Sequence, residues 1–426
     1  TVIQVRRIEN PKGVWRSAGN SDNFHVTLMR LPYDDAEDFK PFNSEGAWSA
    51  TIVEGGDDFI TLRSTVEGSG SDNAQQTGVK SIEGAGEHPI DFWIDFKGTI
   101  AENSTPRCAI VRVRYHNYTC EHDIYVRQGY APITIDGNAE SDKNPAWASY
   151  NVYRFDANNA PVYTKSPLEE GSLFRRGNRT AILASNNDRP GFTFGLGPSG
   201  SFDVLELGAT TPSQKTWSQL APSADDVKSR FASWSIAGDH ERIATIEDFY
   251  TLESTSIHSN IGKAYGVLYG DGATETQKSV EVALGYDHNE DPTNSKKGMR
   301  GCFVFNINNS HNIFFPIGKS GYGRRKGMTS NGEKVGALRY AQRTDYYNND
   351  GTGNIQYVPL FYDLFERPGA IYQCRNRLSS TGSDVKKSSA FDINYFTMGF
   401  EGFENGASNN SDGSDSDACF IRTVKY

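Results

Sequence analysis

The 426-residue sequence has only five cysteines, four methionines and eight histidines, and no long apolar run. Each shortage removes a class of protein. Without about 18 consecutive apolar residues, no segment reads as a membrane-spanning helix. Cys108, Cys120, Cys302, Cys374 and Cys419 form no CxxC pair and have no histidine at ligand spacing, so a structural zinc site is not expected. Their odd number leaves at least one thiol free or paired with another chain, and a chain of this size does not need disulfides to fold. The histidines are dispersed, no GxSxG occurs, and no Ser/His/Asp grouping is recognisable. Positive charge is also short: 43 Lys and Arg stand against 53 Asp and Glu, a net −10. That balance argues against general nucleic-acid or anionic-membrane binding, and any basic patch must be local. No charged-then-apolar leader opens the chain, which is uninformative about export.

What the sequence does hold is 42 glycines and an aromatic content of 12%, a profile of short strands and long surface loops rather than helix bundles. The length implies roughly two or three domains. In Ile90-Asp-Phe-Trp-Ile-Asp-Phe96, the residues Ile90, Phe92, Ile94 and Phe96 fall on one face and Asp91, Trp93 and Asp95 on the other, the signature of a half-buried strand. Val111-Arg-Val-Arg-Tyr115, a turn at His116–Thr119 and Asp123-Ile-Tyr-Val-Arg-Gln128 read as a hairpin. Its geometry sets Cys120 opposite Tyr115, not Cys108, and disfavours a bridge across it. Asn103, Asn117 and Asn178 open sequons that matter only in a glycosylating secretory route.

The run CAIVRVRYHNYTCEHDIYVRQGY (108–130), after a Trp-containing strand at Trp48-Ser-Ala-Thr-Ile52, resembles the end of a BACON-type domain. The resemblance covers residues 1–132 and implies an immunoglobulin-like sandwich on an exported protein of Bacteroidetes, serving as a spacer or stalk. The carbohydrate binding proposed for that family maps onto no motif here. Residues 133–146, poor in large apolar side chains, read as a linker or an initial edge strand.

From 147 to 426 one helix is expected within Arg242–Glu253, with Thr245 capping Asp248, an acidic first turn, and Ile246, Phe249, Tyr250 and Leu252 towards a core. Short strands follow at 301–306, 312–317, 357–362, 370–374, 391–396 and 419–424, which suggests an α+β domain. The pieces GSLFRRGNRT, RIATIEDFYTLES, RGCFVFN, IFFPIGKSGYGRR, GALRYAQR and ACFIRTVKY, in this order, resemble the Fibrobacter succinogenes major paralogous domain. That family implies a C-type-lectin-like fold, a set that also holds the formylglycine-generating-enzyme type. Thr423 stands where the family usually has a cysteine, and the Tyr-Trp-Ser-Ser block is missing, so no family disulfide carries over.

The stretch NNSHNIFFPIGKSGYGRRKG (308–327) raises three chemistries. A P-loop needs a glycine where Ile313 stands, and no helical pattern follows Gly318-Lys-Ser320. Gly321, Gly323 and Gly327 miss the dinucleotide spacing. Arg324, Arg325 and Lys326 beside Tyr322 could stack on a single strand, but three adjacent charges diverge on an extended segment and read as a solvated loop. Calcium is the one cofactor left open, through Asp291-Pro-Thr-Asn294 and through Asp412, Asp415 and Asp417. Glu290 and Asp291, adjacent in sequence, define no acid/base geometry. The strongest candidate for calcium-free sugar binding is Tyr346, Tyr347, Asn348, Asn349 and Asp350, aromatics and amides in a glycine-flanked polar loop, with Tyr322 and Arg324 at its rim.

The expectation is a mostly β chain with an α+β part: an immunoglobulin-like sandwich followed by a C-type-lectin-like domain. It is non-catalytic, exported and held at the outer membrane or in a fimbrium. Its partners would be a glycan, a host or bacterial surface protein, or sibling fimbrial subunits, and no nucleic acid. The alternatives are a structural subunit that binds no glycan and a formylglycine-generating-type oxidoreductase, whose relatives use paired cysteines. In strand-like runs, Cys302, Cys374 and Cys419 read instead as unreactive buried thiols.

Overall fold

In a computed structural model of the chain, the described residues are 11–30, 40–41, 43–56, 58–65, 76–86, 89–136, 144–169, 171–175, 178–183, 201–216, 219–220, 240–252, 260–271, 299–316, 369–373, 375, 390–394 and 418–426. They are almost entirely β. They divide into two units, Thr1–Ala139 with Ser254–Phe314, and Glu140–Glu253 with Phe315–Tyr426. This grouping differs from a cut at residues 133–146, because 254–314, expected within a continuous 147–426 domain, groups with the N-terminal strands.

The first strand, Pro11–Arg16, explains the difference. It lies between Cys120–Gln128 and Ile261–Tyr269 and is parallel to both. Parallel neighbours cannot be joined by a tight turn, so both must arrive from distant sequence. Val14 pairs with Val126 on one side and with Tyr269 on the other. All three are buried in one core.

That core lies between two sheets. From Met299–Asn306 the larger one runs through Ile261–Tyr269, Pro11–Arg16, Cys120–Gln128, Arg107–Tyr115 and Trp48–Gly55 to Ser81–Gly84. The smaller one is ordered Phe24–Thr27, Asp91–Phe96, Ile60–Ser64, Thr77–Val79. Alternation decides which side chains enter: Trp48, Ala50 and Ile52 from one sheet meet Ile90, Phe92, Ile94 and Phe96 from the other. Asp91, Trp93 and Asp95 are only half-buried on the opposite face, as the period of two requires.

The hairpin forms in the expected register, with Tyr115 opposite Cys120 and Cys108 opposite Arg127. Its turn holds His116, Asn117 and Tyr118 at positive φ, a conformation that costs roughly 1–2 kcal/mol per L-residue. Local hydrogen bonds offset this. Ser44 Oγ accepts the His116 N–H (2.7 Å), His116 Nδ1 accepts the Glu45 N–H (2.9 Å), and Asn117 Oδ1 accepts the Ala47 N–H (3.1 Å). Two of the sequon asparagines are thereby committed to structure, since the Asn178 amide donates to Leu220 O (3.1 Å) and accepts from Thr180 N–H (2.9 Å).

On the other face of the larger sheet, Phe303 and Phe305 fold over glycines. A Cβ on Gly13 would lie 2.3 Å from the Phe303 ring, and one on Gly262 2.4 Å from Phe305. Tyr125 stacks beside both rings, at centroid distances of 5.6 and 4.3 Å.

The second unit contains the helix, Ile246–Tyr250, shorter than its sequence signature. Thr245 and Asp248 cap one another reciprocally, leaving fewer orphan backbone donors at its start. Phe249 and Leu252 are buried as expected, whereas Tyr250 is 43% exposed. With Phe249 held 5.0 Å from Trp147, the next residue projects about 100° away around the helix, towards solvent. Thr423–Lys425 runs antiparallel between Ala146–Trp147 and Glu241–Ile243. A five-stranded sheet is ordered Ser213–Thr216, Ser201–Leu205, Ala181–Leu183, Ser172–Arg175, Ala418–Cys419. Asn312–Pro316, read from IFFP as a buried core strand of the lectin-like domain, is buried throughout but pairs with Met299–Asn306 at the edge of the larger sheet.

Two outcomes follow. Gly13→Ala should lower stability by about 1–3 kcal/mol in chemical denaturation, because Phe303 is enclosed and cannot yield. Gly262→Ala should cost less, since Phe305 is only half-buried. His122, whose Nε2 meets Pro11 O at 2.7 Å, is lowered to a pKa of about 4 by desolvation and then by the Lys12 charge. The unfolded chain, with an ordinary histidine near 6.5, binds the proton first. Stability supplied by the neutral ring is therefore complete above pH 6.5 and lost as pH falls towards 4. Replacing His122 by Gln should flatten the thermal midpoint across that window.

Candidate functional site

The residues expected to bind ligand, Tyr346, Tyr347, Asn348, Asn349, Asp350, Tyr322 and Arg324, lie outside the described residues. So do Glu290, Asp291, Asn294, Asp412, Asp415, Asp417, Arg325 and Lys326. What the described residues bring together is of three kinds.

The first is a buried guanidinium. Arg422, fully enclosed in the second unit, donates from Nε to Asn151 Oδ1 (2.8 Å) and from Nη1 to Ala148 O (2.9 Å). Its plane lies 4.6 Å from the Phe315 ring centroid and 5.8 Å from that of Tyr372. Asn151 also donates to Tyr372 Oη (3.1 Å), and Tyr372 packs edge-on against Phe315 at 5.2 Å. Desolvation lowers the Arg422 pKa, while Tyr372 opposes it. Around this residue two pieces of the lectin-like resemblance meet, through Phe315 and Arg422, and a third joins through Ala244; RGCFVFN groups with the first unit and GALRYAQR lies outside the described residues. Ala244 bonds Arg422 O (3.0 Å) and Phe174 pairs with Cys419. These motif residues are fold determinants, buried where no ligand touches them.

The second kind is the saturated carboxylate. Asp248 accepts from Thr245 N–H (2.8 Å), from Arg242 Nη2 (2.9 Å) and from the Tyr426 hydroxyl. Glu241 Oε1 accepts from Thr423 Oγ1 (2.9 Å) and from the Tyr163 hydroxyl. Oxygens so engaged are poor general bases and poor metal ligands. Among the described residues, no group of three or more His, Cys, Asp or Glu could hold a metal ion.

The third is a row on the exposed face of the smaller sheet. Trp93 has His25 directly opposite on one neighbouring strand and Arg63 opposite on the other. The imidazole stacks on the indole at 4.4 Å and 8°, and the guanidinium lies 4.9 Å from its centroid. Arg63 forms a two-pronged pair with Asp95 (2.8 and 2.9 Å). His25 Nε2 lies 2.6 Å from Asp91 Oδ1, and Thr27 Oγ1 donates to that same oxygen at 2.6 Å. A hydroxyl-activating relay needs the imidazole between hydroxyl and carboxylate. Here the carboxylate is in the middle, so the row orders hydrogen-bonding groups and activates none. Alternation in the three strands identifies the outward residues, but which of them stand side by side follows only from register.

Among the described side chains the free thiols are Cys108 and Cys302, both buried, and Cys120, half-exposed beside the hairpin turn. Burial pushes the Cys108 thiol pKa up, which suppresses the reactive thiolate. No protein-family model matches the chain, and no curated protein matches it.

In the native protein, Cys120 should react with a maleimide at least about tenfold faster than Cys108 or Cys302. Mass spectrometry of labelled peptides at increasing times checks the order. Equal rates would mean that the strands around Cys108 and Cys302 open readily.

Proposed function

We propose that the chain is a non-catalytic binding protein, exported and held at the cell surface, whose work is adhesion or glycan recognition as an accessory or tip component of a fimbria-like assembly. The observation that carries this reading is the convergence on Arg422. Two of the segments whose order suggested a C-type-lectin-like domain meet there through Phe315 and Arg422, joined by Asn151 and Tyr372 in one buried polar and aromatic cluster. In such a plan the motif residues hold the frame, and recognition falls to the loops between them.

The polar and aromatic row on the sandwich supports recognition of a second kind of surface. Its guanidinium, imidazole, carboxylates and indole are held in place by their neighbours, which lowers the cost of ordering them around a ligand. Among the described residues, no helix is long and apolar enough to cross a membrane.

A glycan array probed with the full chain, with and without a calcium chelator, tests the reading. Binding that survives chelation is expected. It should fall at least about tenfold on replacing Tyr346 and Tyr347 with Ala, the loss typical of a stacking contact. An array with no signal at millimolar sensitivity would sink glycan recognition and leave a structural subunit.

A further inference from the structure

We infer that residues 129–136, which leave the first unit after its Cys120–Gln128 strand, form a rigid exit strap latched by the turn at 306–312. The composition of this tract is that of a spacer, yet nearly every residue in it is held. Trp15 Nε1 donates to Gly129 O at 3.1 Å. Arg127 Nη2 donates to Ala131 O at 2.9 Å, and its Nη1 to Asn312 O at 2.6 Å. His311 Nδ1 meets Thr134 O at 2.8 Å, and Asn306 Nδ2 donates to Ile135 O at 3.0 Å. Between these carbonyls, Ile133 and Ile135 are buried at 2% and 1% exposure and Asp136 at 3%. Tyr130 packs on Trp15 at 5.3 Å.

The latch is anchored at its far end as well. Ser310, at a φ of 59°, donates from Oγ to Cys108 O at 2.8 Å. The turn thus grips the sandwich strands through Ser310 and Asn312 and the exit segment through Asn306 and His311. Loss of a hydrogen bond to a buried carbonyl is costly because the group stays desolvated. Opening the strap would expose several such carbonyls together with two isoleucines, so it opens as a unit or not at all.

The consequence is a fixed exit from the first unit. The direction in which the chain leaves the sandwich is set by turn residues that arrive some 170 positions later in sequence (Asn306 to Ile135, 171). The tract is held through residue 136 and is not a free tail of the sandwich.

Chymotrypsin digestion of the native full chain tests it, with the products identified by mass spectrometry. Tyr130 lies within the strap, and Tyr118, 44% exposed in the hairpin turn, serves as an internal reference. Cleavage after Tyr130 in the wild type should be at least about tenfold slower than after Tyr118, because proteolysis reports local opening. Asn306→Ala and His311→Ala, singly and together, should raise cleavage after Tyr130 about tenfold and leave Tyr118 unchanged. Three results overturn the inference: wild-type cleavage after Tyr130 as fast as after Tyr118, rates unmoved by the substitutions, or both sites accelerating together. Glycan binding plays no part in the readout, so a blank array and an open strap remain separate failures.

Discussion

The parallel seat of Pro11–Arg16 is the constraint on which the first unit depends. A strand with parallel partners on both sides cannot be closed by its own neighbours in sequence, so the unit is incomplete until Ile261–Tyr269 arrives. Arg16 ties the two distant parts together, donating from Nη1 to Gly270 O (2.7 Å) and from Nε to Asp22 O (2.9 Å). The Ser17 N–H donates to the Asp271 carboxylate (3.1 Å). Everything later in the sandwich follows from this arrangement: the continuous core on one face, and on the other the aromatic stack in which Phe303 and Phe305 overlie glycines.

Buried guanidiniums recur as the means of satisfying backbone carbonyls at the ends of strands. Arg16, Arg127 and Arg422 are all fully enclosed and all lie over aromatic rings. The planar fork reaches several acceptors at once while its face packs on a ring, a combination that lysine lacks. Burying such a cation is costly, and desolvation lowers the pKa of Arg16 and of Arg422. The groups around them must therefore be in place for the fold to hold, which makes these residues markers of a single well-defined arrangement.

The same logic separates frame from function. Carboxylates such as Asp248 and Glu241 are taken up by internal donors, and the Asp91 oxygen that meets His25 also accepts from Thr27. A surface for recognition needs polar groups ordered by their surroundings yet still presenting an edge to solvent. The His25–Trp93–Arg63 row has that character, since its members are partly exposed and braced from both sides.

Much of the first unit was legible in its sequence because period-two alternation and turn chemistry are local. The faces of Ile90–Phe96, the pairing of Cys120 with Tyr115 and the cap at Thr245 all depend on residues a few positions apart. Tyr250 was misread because a one-turn helix presents a narrow face, and packing at Phe249 decides which way it turns. The row on the smaller sheet was not legible, because its three strands are brought side by side only by register. The polar loop at Tyr346–Asp350 rests on composition alone. The sequence by itself determined which residues alternate, where chains turn and which charges are scarce. Only the tertiary structure decided that Ile261–Tyr269 and Met299–Asn306 complete the N-terminal sheet, that a linker-like tract is pinned, and that Asn151, Phe315 and Tyr372 share one arginine. These are contacts between positions far apart in the chain, and local propensity carries no information about such pairings.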